Sequence, residues 1–297
     1  MNDSREHLNP IIKEIQDWIL AEERAGRNVD INRINERLQT ATALHNSTPR
    51  SDFNGLSPEE MHNVMYHPFT EQCVVSLNKL CKEQYDKIPL VRQAIYLMNT
   101  LSETELKLTK LGWLPLKTVA ETYRLGQPEW IIEEFKSKRI NEYDANSVWM
   151  ARIILDLLGW IKTRKGTLSL TLKGKKALLD IDSAANEILR FSLIGVGLHT
   201  FDGNEDGRIG NLGMAYSVWL LNKFGSTWHS GEFYQEHYQK VFTFTDIYNI
   251  YETRVFARLF YWLGLVETRL NKHTNPPYPW EYRKTDLLQI IFSFKRQ

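Results

Sequence analysis

Seven basic side chains fall within Ser147–Leu179: Arg152, Lys162, Arg164, Lys165, Lys173, Lys175 and Lys176, set against Asp156 alone. Lys162, Arg164 and Lys165 lie at or beside Lys165-Gly166, a turn signal, and Lys173, Lys175 and Lys176 follow on a short helical pattern. Several cations could therefore line one phosphate track. Hairpin tips also carry lysine merely for solubility, and the residues leave both readings open. Further along, Arg254 and Arg258 stand four apart and so share a helical face. Guanidinium groups so placed suit guanine edges in a major groove. Equally, they could answer local carboxylates such as Glu252 or Asp246.

Other chemistry is thin. Asp202 to Ile209 follows the first eight positions of a calcium loop, with oxygens at one, three and five and glycine at six. The twelfth position is Gly213, so the bidentate clamp is missing, and a polar Gly-rich linker explains the stretch as well. Gly195-Val196-Gly197 lacks the third glycine of a dinucleotide loop, and no GxxxxGK followed by Ser or Thr, HExxH or GxSxG occurs. His62 and His67 are five apart, a step that does not bring two ligands to one helical face, and His229 and His237 sit among aromatics. All four are assigned to structure. Cys73 and Cys81 are the only cysteines, too few for a disulfide scaffold or a zinc site. No metal or cofactor is expected, and no nucleophile, base and orienting group suggest an enzyme. The aromatics from Tyr216 to Phe244 are not interleaved with lysines, which favours packing over stacking on unpaired bases.

The elements that must position these cations are mostly helices. Ile12, Ile15, Ile19 and Leu20 give an amphipathic helix within Asn9–Ala25, and Ile31, Ile34 and Leu38 a second within Asp30–Leu44. Asn46–Asp52 is a linker. Ser57-Pro58-Glu59-Glu60 opens a capped helix that ends before Pro68. Helices are predicted over Leu90–Leu101, Leu114–Leu125 and Ser147–Leu158, with a short helix or loop over Pro128–Phe135. Gly159 ends the third, Trp160–Thr163 and Thr167–Leu170 form a hairpin, and Thr171 caps a last helix through Leu179.

The ending repeats. Ala151-Arg152, an apolar run and Leu158-Gly159-Trp160-Ile161-Lys162-Thr163-Arg164 are mirrored by Ala257-Arg258, an apolar run and Leu263-Gly264-Leu265-Val266-Glu267-Thr268-Arg269. Tyr216–Phe224 and Tyr248–Leu263 supply helices of this second unit, and its hairpin tip, Asn271–Trp280, carries Pro276, Pro277 and Pro279. The expected fold is mainly α, with tandem winged-helix domains bearing short β-hairpin wings after an N-terminal helical region. Residues 1–50 would be N-terminal helices, 51–88 a connecting helical segment and 89–181 the first winged helix. Residues 182–212 would form an acidic Gly-rich linker and helix, and 213–297 the second winged helix.

Leu108-Thr109-Lys110-Leu111-Gly112-Trp113-Leu114-Pro115 and Leu170-Thr171-Leu172-Lys173-Gly174-Lys175-Lys176-Ala177-Leu178-Leu179 resemble a prokaryotic LTxxG pattern that opens one helix and later closes a winged-helix unit. With Asn54-Gly55-Leu56-Ser57-Pro58-Glu59-Glu60-Met61, the chain is similar from about residue 52 onward to a family of uncharacterised bacterial proteins. That family lends no activity. The wing half also resembles MarR-like regulators, which implies a helix before the wing entering a major groove and a wing touching phosphate.

A 42% hydrophobic and 25% charged composition belongs to a globular chain, and no apolar run is long enough to span a bilayer. A cytoplasmic protein without membrane contact is expected. The net charge of +1 hides the basic stretch described above. DNA is the expected partner of a non-enzymatic, regulatory protein. The alternative is an adaptor whose winged helices take a protein partner or self-associate. The helix before the first wing argues against base reading, because Asn146, Ser147, Arg152 and Asp156 are its only polar candidates.

Overall fold

The computed structural model describes residues 10–135, 139–203, 206–243, 249–271 and 280–295. The protein is mainly helical, with small antiparallel sheets of two or three strands. The chain runs α1 (Pro10–Arg24), α2 (Ile31–Ser47), α3 (Pro58–Tyr66), β1 (Val75–Leu77), α4 (Lys82–Tyr85), α5 (Pro89–Glu103), β2 (Leu106–Lys107), α6 (Leu116–Tyr123), α7 (Trp130–Phe135) and α8 (Asn146–Leu157). It continues through β3 (Ile161–Arg164), β4 (Thr167–Leu170), α9 (Leu172–Ala177), α10 (Ile181–Ile194), α11 (Met214–Phe224), β5 (His229–Ser230) and α12 (Gly231–Gln239). A π-helix (Glu252–Phe260), β6 (Val266–Leu270), β7 (Trp280–Lys284), α13 (Leu287–Ile291) and β8 (Phe292–Phe294) complete it. Among the described residues, no helix is long and apolar enough to cross a membrane.

Capping chemistry places several of these starts. Ser57 accepts from the Glu60 amide while the Glu60 carboxylate accepts from the Ser57 amide, a closed capping box with Pro58 at the first helical position. Thr171 caps α9 through the Gly174 amide. Helix α2 runs to Ser47, three residues past its expected end, because Thr48 turns back to the carbonyls of Leu44 and His45. On α1, Ile15 is buried whereas Ile12 and Leu20 face solvent, so only part of the expected apolar stripe is covered.

The repeat is deeper than the sequence match. The second half runs helix, strand, helix, helix, strand, strand, the first follows the same order with the short α7 added before α8, and each three-stranded sheet has the first strand beside the last: β2-β4-β3 and β5-β7-β6. Gly159 and Gly264 both take left-handed φ, +70° and +73°, and the following amides, Trp160 and Leu265, reach back to Leu155 and Phe260. Thr171 and Thr285 then occupy equivalent places. Their amides donate to Trp160 and Leu265, and their hydroxyls to the carbonyls of Gly159 and Gly264 at 2.7 and 2.6 Å.

The two LTxxG copies have different physical causes. Leu108–Gly112 forms a turn between β2 and α6, not a helix start; Thr109 Oγ1 accepts from the Trp113 amide and Gly112 sits at φ +82° in open space. Gly174, by contrast, packs where a Cβ would lie 2.1 Å from the Trp160 carbonyl oxygen.

One hydrophobic cluster embraces both halves. Helix α10 lies against α5, α8 and α9. Trp113, Trp149, Phe201 and Trp262 form an edge-to-face series of rings leading from the turn before α6, through α8, to the second residue past the π-helix, with centroids 5.5, 5.1 and 5.5 Å apart. The stretch read as a linker is packed: Leu198, Phe201 and Ile209 are all buried. Strand β8 pairs with β1 and ties the far end of the described chain to α3 and its neighbours.

Candidate functional site

The first hairpin carries its cations on one face. Its two-residue loop, Lys165-Gly166, has φ of +50° and +74°, the left-handed pair of a type I′ turn, and Arg164 pairs directly with Thr167. Strand alternation then sorts the side chains. Ile161, Leu168 and Leu170 enter the core, whereas Lys162 and Arg164 point the other way. In register with Thr167 on its second edge is Lys107 of β2, so Lys107, Thr167 and Arg164 form a row across three strands. Lys107 escaped the sequence reading, because only sheet pairing brings it there. The signal available was the alternation Leu106-Lys107-Leu108.

Lys162, Arg164, Lys165, Lys175, Lys176 and Lys107 are exposed, and none enters an ion pair among the described residues. Lys173 differs: its ammonium donates to the Leu158 carbonyl at 2.9 Å, at the C-terminal end of α8 where a cation is favoured.

The second hairpin has the same strand order and the opposite electrostatics. Arg283 is bonded to Glu267 and Arg269 to Glu281, each pair directly across the ladder, at 2.6 Å. Both guanidinium groups also stack on Trp228, 4.5 and 4.8 Å from its ring centroid. This face is electrically closed. The tip expected at Asn271–Trp280 lies outside the described residues between 272 and 279.

Three arginines proposed from the sequence as nucleic-acid contacts are withdrawn by their surroundings. Arg254 is fully buried on the π-helix and donates to both carboxylate oxygens of Asp202 and to the carbonyls of Asp206 and Ile209. Reaching a base would cost all four bonds. Arg258 meets the same Asp202 at 3.5 Å and faces the interior between the halves. Arg152 donates to Glu142 at 2.8 Å and to the Gly112 carbonyl. Thus carboxylates do answer these arginines: Arg254 pairs with Asp202, while Asp246 lies outside the described residues. The loop that resembled a calcium site spends Asp202 on Arg254 and Asp206 on Arg208; Asn204 and Glu205 lie outside the described residues. Among those described, no group of three His, Cys, Asp or Glu side chains could hold a metal.

Glu142 is wholly buried; its Oε2 accepts from Arg152 and the Leu114 amide, and its Oε1 has no partner. Burial raises its pKa above the ordinary 4.5 despite Arg152. A raised carboxyl favours the fold fully below the unfolded value, and that contribution is lost as pH rises through the folded value. Glu142→Gln is therefore expected to gain stability relative to the unsubstituted protein between about pH 4 and about pH 7. Urea unfolding at both pH values checks this, and a constant difference refutes it.

Helix α8 presents little for base recognition. Ser147 is buried, its amide and hydroxyl and the Asn146 amide all bind Glu129, and Asp156 is the exposed polar side chain. The geometry offers a basic, uncompensated sheet face beside two inward-facing helices. Comparison with models of protein families, with curated proteins and with solved structures finds no match.

Proposed function

We propose that this is a non-enzymatic nucleic-acid-binding protein of tandem winged-helix build that grips the phosphate backbone of DNA through its first hairpin. The observation carrying this reading is the contrast between two hairpins of one topology. In the second, every arginine of the outer face has its glutamate, whereas in the first Lys162, Arg164, Lys165 and Lys107 have none among the described residues. Exposed cations without partners have no ion pair to break before they meet phosphate. The helices that would read bases in such a build, α8 and the π-helix, are packed inward, so binding depends on backbone charge and not on sequence.

Fluorescence anisotropy with a mixed-sequence duplex tests this. The triple variant K162Q/R164Q/K165N, which keeps an Asn-Gly turn, is expected to weaken binding about tenfold or more at low salt. The slope of log affinity against log salt should fall by about 2–3. R269Q/R283Q should leave both nearly unchanged. Absence of binding to any duplex at low salt overturns the proposal.

An adaptor role is favoured by a different observation. Leu111, Leu172 and Leu179 are 82, 80 and 87% exposed. A stable oligomer or co-purifying protein that survives nuclease and high salt would support it, and a partnerless monomer would count against it.

A further inference from the structure

A cavity of about 620 Å³ opens where the two halves meet, between α7 with the start of α8 and the π-helix with β6 and β7. That volume suits a small organic molecule. Trp130, Tyr261, Trp262 and Trp280 supply flat walls. The polar groups are divided between opposite sides.

Arg258 stands on one side, four-fifths buried. Its one close ion pair among the described residues is with Asp202 at 3.5 Å, and both oxygens of Asp202 are already held by Arg254 at 2.7 and 2.8 Å. A desolvated guanidinium has five donors to satisfy, so most of this one's capacity is left for the cavity. On the other side, the Glu129 carboxylate is fixed by the Asn146 amide at 3.1 Å and by the Ser147 amide and hydroxyl at 2.9 and 2.7 Å. Its Oε2 accepts one of these bonds and has room for another. Glu133 lines the same region and is exposed. No ion pair joins Arg258 to either glutamate among the described residues.

A purely anionic ligand would face two carboxylates, and a purely cationic one would face Arg258. We propose that the cavity binds a small aromatic zwitterion, with its carboxylate on Arg258, its ammonium towards Glu129 and Glu133, and its ring between the indole and phenol walls. This does not rest on nucleic-acid binding and survives a negative duplex experiment.

Titration calorimetry and thermal unfolding with L-tryptophan, indole-3-acetate and tryptamine distinguish the possibilities. L-Tryptophan is expected to bind at one saturable site and raise the melting temperature, about tenfold more tightly than either singly charged probe. Arg258→Met should reduce L-tryptophan binding about tenfold and leave tryptamine as strong or stronger. Should that variant fail to fold, Ala257→Trp, which fills the space, should remove binding of all three while circular dichroism stays native. The proposal is overturned if folded protein shows no saturable binding of L-tryptophan up to about 10 mM, if tryptamine binds better than L-tryptophan, or if Ala257→Trp binds as before.

Discussion

Urea unfolding of Arg254→Met is expected to show a loss of about 3–5 kcal/mol, because removing the buried guanidinium strands two backbone carbonyls as well as the partly exposed Asp202 carboxylate. Arg254 has no exposure, and its guanidinium satisfies both oxygens of Asp202 and two backbone carbonyls, those of Asp206 and Ile209. Methionine fills much of the same volume and supplies none of those donors. Asp202 would lose both short bonds to Arg254, at 2.7 and 2.8 Å, and keep the long contact to Arg258. Against a total stability of roughly 5–15 kcal/mol, such a loss brings the fold near its threshold. Asp202→Asn combined with Arg254→Met should cost less than the sum of the single changes, since the two side chains act as one unit. A loss below about 1 kcal/mol for Arg254→Met would show that the pair does not hold the 202–209 loop to the π-helix.

Gly174→Ala should lose about 3 kcal/mol, at the upper end for an overpacked site. The added methyl carbon would sit 2.1 Å from the Trp160 carbonyl oxygen and 3.1 Å from Leu170 Cδ2. Backbone cannot swing aside as a side chain does, and that same carbonyl accepts the Thr171 amide. Gly112→Ala is the informative control. Nothing lies within 4 Å of its would-be Cβ, so only the left-handed φ is strained, at about 1–2 kcal/mol. Equal effects at the two glycines would refute the packing explanation for Gly174.

The elements of the first half were legible because their signals are local. Gly159 ends a helix, Lys165-Gly166 turns a hairpin and Thr171 caps the next helix, each within a few residues of its cause. The repeat was legible for the same reason, as Gly264 repeats Gly159. Function was harder to read because charge has meaning only beside its partner. Arg254 and the Asp202 loop each looked like a separate site, yet they are 52 residues apart in sequence and answer one another. Likewise nothing local distinguishes Arg269 and Arg283, neutralised across a ladder, from Arg164, which is not. Register made that difference, and it also brought Lys107 to the basic face. The cavity between the halves was invisible for a related reason: Glu129 and Arg258 belong to different repeats.

The pairing of Val75–Leu77 with Phe292–Phe294 joins segments so remote that Lys295 Nζ reaches the Gln72 carbonyl across 223 positions of chain. Such a closure must wait until Phe294 has left the ribosome, and it slows folding by lengthening the loop to be closed. Once made, it works as a clasp. Because one hydrophobic core runs through both repeats as well, the molecule is expected to melt as one body, and cutting between the repeats to leave two incomplete pieces.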